Sequence, residues 1–144
     1  MRRLTAEGPF GPQVAKQHCM AKILIIEDEA AISTLLRRII GHMGHEVATA
    51  ADGSQAQKLA LSETFDLVLS DLHIPGTPSG ITLLREIREK KPALPIVVVS
   101  GYSTGDLIDQ CAEAGIKDFL AKPFEMMSVR SLVDDILKRA QATA

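Results

Sequence analysis

Tryptophan is absent from the 144 residues, Tyr102 is the lone tyrosine, and 4 phenylalanines complete the aromatic set. At 3% of the chain, aromatics are too few for a surface that stacks nucleobases. An excess of one charge is also missing. Lys and Arg number 16 against 18 Asp and Glu, a formal net charge of −2, so no basic field points to nucleic acid or an anionic membrane. The two cysteines, Cys19 and Cys111, give neither metal-type spacing nor a disulfide framework. They read as free thiols in a reducing cytoplasm. No apolar run approaches the roughly 20 residues of a membrane span. Arg2-Arg3 lies near the start, but no apolar stretch follows it, which argues against an export signal.

What is present suits one domain. The chain is 46% hydrophobic and 24% charged, ordinary for a soluble globular protein. Residues 1–19 carry Gly8-Pro9 and Gly11-Pro12 without periodicity, and are expected to be a disordered N-terminal extension or an added remnant. Met20 stands immediately before the first strand signal and could be the natural start. The folded domain is placed at 20–144.

From Lys22 onward, strand and helix signals alternate. Ile23 to Ile26 is a wholly apolar strand stopped by Glu27-Asp28-Glu29. Ile32, Leu35, Leu36, Ile39 and Ile40 follow at helical spacing, with Gly41 and Gly44 at the expected end. Glu46 to Thr49 is a weaker strand, expected at the sheet edge. Asp52-Gly53 reads as a turn and Ser54 to Leu61 as a short helix. Leu67-Val68-Leu69 is the third strand, ending in Ser70-Asp71. Leu83, Leu84 and Ile87 line the next helix. Ile96 to Val99 is the fourth strand, ending at Ser100-Gly101. Leu107, Ile108, Cys111 and Ala112 mark a fourth helix closed by Gly115. Ile116 to Ala121 is the expected fifth strand, ending at Lys122-Pro123. Val129, Leu132, Val133, Ile136 and Leu137 give a final helix.

Successive βα units imply a parallel sheet with helices on both faces and right-handed crossovers. The expected architecture is α/β, a flavodoxin-like (βα)5 three-layer sandwich with strand order 2-1-3-4-5. That order sets strands 1 and 3 side by side, and so Asp28 beside Asp71. All strand tips then meet at one edge: Glu27 and Asp28, Asp71, Ser100 and Lys122. Clustered carboxylates repel; two of them about 4 Å apart cost roughly 4 kcal/mol at an effective dielectric near 20. A hard divalent cation removes that penalty, and Mg²⁺ favours one or two carboxylates, waters and phosphate oxygens. In this reading Asp71 is the nucleophile of aspartyl-phosphate chemistry, with Ser100 and Lys122 stabilising phosphoryl oxygens.

With the acidic pair Glu27-Asp28, then Asp71, Ser100, Phe119 and Lys122-Pro123-Phe124 in order, the chain resembles the receiver domain of two-component response regulators, of the stand-alone chemotaxis type. The resemblance covers about Met20 to Ala140. It implies that Asp71 is the phosphoacceptor and that Asp28, Asp71 and the backbone carbonyl of His73 hold Mg²⁺, with Glu27 acting partly through water. It implies a phosphohistidine donor, either a sensor histidine kinase or a phosphotransfer protein. It also implies a cis peptide before Pro123, a switch role for Ser100 and Phe119, and an output face on the fourth helix, fifth strand and fifth helix. The donor is expected to dock near the first helix and the loop after Lys122. On this reading the protein is a phosphoacceptor rather than an enzyme, at most phosphorylating and dephosphorylating itself. It is expected in the cytoplasm as a monomer or weak dimer. No DNA-binding or catalytic output segment fits after Ala140, so a stand-alone regulator or a fragment is expected.

Some positions depart from the family pattern. Its loop after the phosphoacceptor runs Asp-Leu-x-Met-Pro-x-Met-Asp-Gly. Here Asp71-Leu72-His73-Ile74-Pro75-Gly76-Thr77-Pro78-Ser79-Gly80 is one residue longer and lacks the second acid. His73 and Tyr102 stand two residues beyond Asp71 and Ser100, where family side chains tune hydrolysis. Phe119 lacks a tyrosine's hydroxyl. Other classes are disfavoured by the first loop. A flavin phosphate needs Gly, Ser or Thr where Glu27-Asp28-Glu29 stand. A dehalogenase-type phosphatase needs Asp-x-Asp there. The remaining alternative is a receiver-like interaction module that is never phosphorylated.

Overall fold

Apolar runs and helical stripes alternate along the chain because each strand is buried on both faces by the helices that flank it. The computed structural model describes residues 20–78, 80–101 and 105–143, with side chains described through residue 140. The expected extension 1–19 with Cys19, and Ser79 and Tyr102, lie outside the described residues. The elements are β1 (Lys22–Ile26), α1 (Ala30–His42), β2 (Glu46–Ala50), α2 (Gly53–Ser62), β3 (Leu67–Asp71), α3 (Gly80–Lys90), β4 (Ile96–Ser100), α4 (Gly105–Glu113), β5 (Asp118–Ala121) and α5 (Met126–Thr143).

The sheet is five-stranded, parallel throughout, in the order β2-β1-β3-β4-β5. The expected flavodoxin-like three-layer order is therefore the observed one. β3 and β4 are buried at every residue, as central parallel strands should be. β2 lies at the edge and is half-exposed. Two apolar layers sandwich the sheet. Leu36, Ile39 and Ile40 of α1 and Val129, Val133 and Ile136 of α5 pack on one face. Ala56 and Ala60 of α2, Leu83, Leu84 and Ile87 of α3, and Cys111 of α4 pack on the other. Each fully buried Leu or Ile contributes about 1.5–3 kcal/mol. Among the described residues, no helix is long and apolar enough to cross a membrane.

Several expectations need correction. Ile116 and Lys117 are not in β5, which starts at Asp118. The Ile116 N–H donates to the Cys111 carbonyl at 2.8 Å, so Ile116 closes α4 beside Gly115, whose φ is +81°. Leu35 and Ile108 sit on apolar stripes yet are 46% and 42% exposed, and Ala112 is exposed too. The layers are narrower than the stripes. Gly41 lies inside α1, and Gly44 at φ +94° ends it. Gly53 opens α2 rather than a turn, because Asp52 caps that helix, accepting the Gln55 N–H at 2.8 Å.

The loops at the two edges of the sheet are held differently. At the N-terminal edge, Asp66 Oδ2 accepts the Lys22 N–H at 2.8 Å, fixing the start of β1 against that of β3. At the other edge, the segment after Asp71 turns back over α2. The Gly53 N–H donates to the Pro75 carbonyl at 2.8 Å. Gly76, at φ +91°, lies so close to Asp52 and Gly53 that a Cβ there would stand 3.2 Å from the Gly53 nitrogen. Ile74 is buried under the same loop. Peptides Thr77–Pro78 and Lys122–Pro123 are cis, the second as expected.

Candidate functional site

Parallel register brings the strand tips together. Ile26 of β1 pairs with Ser70 of β3, so Glu27 and Asp28 come level with Asp71. On the other side Asp71 pairs with Val99 of β4, one residue before Ser100. Ser100 pairs with Ala121 of β5, one residue before Lys122, whose N–H donates to the Ser100 carbonyl at 2.9 Å. The strands end here because polar residues follow apolar ones at the same level of the sheet.

The side chains converge as the register requires. Carboxylate oxygens of Glu27, Asp28 and Asp71 lie within 4.8 Å of one another. Glu27, Asp71 and Ser100 are buried, while Asp28 is exposed at the rim. The Lys122 ammonium stands 2.9 Å from Asp71 Oδ2 and 2.9 Å from Glu27 Oε1. Asp71 Oδ1 accepts the N–H of His73 at 3.0 Å. His73 thus reaches the site through its amide; its carbonyl as a metal ligand remains an implication of the resemblance. The Ser70 hydroxyl turns to the Asp71 carbonyl at 2.8 Å and takes no part in the cluster. Phe119 pairs with Val98 and packs, half-buried, against the layer formed by α2, α3 and α4. Among the described residues a Cβ at Gly101 would meet the Lys122 Cβ alone, at an ordinary 3.9 Å.

The charges do not balance. Burial pushes the Glu27 carboxyl above its ordinary value, although Lys122 and the Glu29 amide pull it down. Burial would lower the Lys122 ammonium, but the Glu27 and Asp71 carboxylates against it outweigh that and hold it above its usual value. The Lys122–Glu27 contact is an ion pair without hydrogen-bond alignment, since buried Glu27 Oε1 has no hydrogen-bond partner. An under-satisfied buried carboxylate oxygen, with two further carboxylates within reach, suits a hard cation that accepts oxygen from several directions. The residues present fit Mg²⁺.

One contact escaped the sequence reading. Glu29 Oε1 stands 3.9 Å from the Lys122 ammonium. Its position directly after the acidic pair was the only available signal. Among the described residues no set of His ligands forms: His45 Nδ1 instead accepts the Ala21 N–H at 3.1 Å, a structural bond at the start of β1.

Comparison with known proteins bears on this geometry. The family model for the response regulator receiver domain matches residues 23–134, and the chain belongs to that family. It is 33% identical to sporulation initiation phosphotransferase F of Bacillus subtilis, covering 81% of this chain and 93% of that protein. It is 38% identical over 123 residues to the transcriptional regulatory protein ResD of Bacillus subtilis. The chain spans from 25% to 51% of ResD and the other longer regulators matched beside it. Among solved structures, the receiver domain of NtrX from Brucella abortus matches with a TM-score of 0.75 at 31% identity, covering 81% of this chain and 98% of that one. A CheY-like receiver domain from Methanospirillum hungatei JF-1 shares the fold, with a TM-score of 0.83 at 24% identity over 87% of this chain and 99% of that one.

Proposed function

We propose that the protein is a cytoplasmic phosphoacceptor that takes a phosphoryl group onto Asp71 in a Mg²⁺-dependent step. The donor is the phosphohistidine of a sensor histidine kinase or a phosphotransfer protein. The observation that carries this reading is the shared hollow, where buried Asp71 lies between the Glu27-Asp28 pair and the Lys122 ammonium.

A carboxylate oxygen of Asp71 attacks phosphorus, the P–N bond of the donor breaks, and the imidazole leaves with the electron pair. Glu27, Asp28 and Asp71 with the His73 carbonyl would hold Mg²⁺, which when bound would neutralise charge on the acids and the phosphoryl oxygens. The His73 N–H fixes the rotation of the Asp71 carboxylate. Lys122, already against Asp71, supplies a mobile positive charge for a phosphoryl oxygen. The Ser100 hydroxyl lies one residue past Asp71's register partner and follows the new phosphoryl group. Half-buried Phe119 then repacks, and the surface formed by α4, β5 and α5 changes its affinity for an output partner.

The test is intact-mass measurement after incubation with a small phosphodonor, with and without Mg²⁺. One added phosphoryl group is expected, only with the metal, and none in Asp71→Asn. Uptake that persists in Asp71→Asn, or no uptake under any condition, overturns the reading.

A further inference from the structure

Lys122 occupies the oxygens a divalent cation would need. Its ammonium lies on Glu27 Oε1 and Asp71 Oδ2, which belong to two of the three residues whose carboxylates cluster within 4.8 Å. One small hollow cannot hold a lysine ammonium and a divalent cation on the same oxygens without strong repulsion. A cation seated there drives the ammonium off, and the freed lysine needs another carboxylate.

Glu29 is the group placed to receive it. Its Oε1 already stands 3.9 Å from Lys122 Nζ. Its backbone is fixed at the site, since its N–H donates to Glu27 Oε2 at 3.2 Å and its carbonyl accepts the Ser33 N–H at 3.0 Å. Glu29 is the N-cap residue of α1, yet its side chain makes no cap hydrogen bond. Asp52, at the same position of α2, does cap its helix. The Glu29 carboxylate is therefore directed at Lys122 rather than at the helix end. It is also 65% exposed, at the rim, where a displaced ammonium keeps its water.

We infer that Glu29 is a positioning residue, the carboxylate that holds Lys122 when a divalent cation takes the Glu27, Asp28 and Asp71 oxygens. This rests on the metal-binding part of the proposed function and adds a role for a residue outside the ligand set. Held at the rim, Lys122 stays within reach of an arriving phosphoryl group and does not wander into solvent. Glu29 thereby sets how far the cation must push the lysine, and so how tightly the cation binds.

Calorimetric titration of the full chain with MgCl2 tests this as a double-mutant cycle of Glu29→Gln and Lys122→Met. Glu29→Gln is expected to weaken Mg²⁺ binding by about two- to five-fold more with Lys122 present than in the Lys122→Met background, the size of one exposed ion pair. Side-chain NMR of Lys122 supplies a readout that a purely structural role would leave still. Saturating Mg²⁺ moves the Lys122 ammonium signals to those of a free lysine in Glu29→Gln but not in the natural chain. Equal or greater loss in the Lys122→Met background means that Glu29 acts on the cation directly through space, and overturns the inference while leaving the metal site intact. No binding heat from the natural chain at millimolar Mg²⁺ overturns both the inference and the metal reading beneath it.

Discussion

Two lysines sit at opposite edges of the same sheet and do opposite things. At the N-terminal edge, Lys22 pairs with Glu63, lies 5.2 Å from the centre of the Phe65 ring, and gives its N–H to Asp66. The ammonium meets Glu63 at close range with Glu46 further off, and these groups are partly or fully exposed. At the C-terminal edge, Lys122 serves Glu27 and Asp71 at close range and Glu29 from further off, with Asp28 beside them. The first arrangement lies at the surface, where water screens its charges. The second carries a surplus of negative charge in a buried place, which folding alone would not retain. Surplus charge distinguishes a working site from a structural tie, even though both are lysine–carboxylate contacts.

Substitutions should separate the two edges. The largest effect is expected for Asp71→Asn, which abolishes phosphoryl uptake, whereas Lys22→Met leaves uptake intact; intact mass reads both. Next comes the stability of Lys122→Met. It strands the buried carboxylates of Glu27 and Asp71, so urea unfolding in EDTA should show a loss of about 3 kcal/mol. Millimolar Mg²⁺ should restore much of that loss, because the cation binds only the folded state. Lys22→Met should change unfolding far less, with no difference between EDTA and Mg²⁺. If Mg²⁺ rescued Lys22→Met equally, the contrast between the edges would fail.

Acidity sharpens the comparison with a smaller effect. The Glu27 carboxyl is raised by burial, so the folded protein binds that proton more tightly than the unfolded chain does. Without metal, this group's contribution to stability grows as pH falls through the raised value toward the ordinary 4.5, and is lost as pH rises again. The proposed Mg²⁺ binding should run the other way, since a cation at Glu27 would compete with that proton, and its affinity should fall over the same acidic interval. Lys22 is raised by Glu63, so its contribution is complete below 10.5 and lost only in alkali. Urea unfolding between neutrality and the ordinary carboxylate range, with EDTA and with Mg²⁺, should give opposite slopes. Parallel slopes would remove Glu27 from the metal's ligands.

Much of this architecture was legible because central parallel strands are written as unbroken apolar runs. Leu67-Val68-Leu69 and Ile96 to Val99 end abruptly in polar residues, so sheet order alone brings those residues to one edge. Helix faces were less legible at their margins. Leu35 and Ile108 share the period of buried neighbours but lie beyond the width of the layers that cover them. Ile116 carried a strand-like side chain, yet its amide was claimed by the end of α4. The contacts of Lys22 with Glu63, and of Lys122 with Glu29, depend on how far long side chains reach between elements. No spacing in the sequence encodes that reach.

The fastening of the segment after Asp71 gives the hollow one stiff wall. With the Pro75 carbonyl bound to the first amide of α2 and Gly76 wedged against Asp52, that wall resists displacement from either side. The opposite wall, formed by Ser100, Gly101 and the four-residue β5, is tied within the sheet, by the Lys122 N–H on the Ser100 carbonyl, and to α5, by Arg139 on Asp118. On the proposed function the hollow is expected to work like a vice whose jaw beside α2 stays put, so that a push at its centre is taken up by the jaw carrying Phe119.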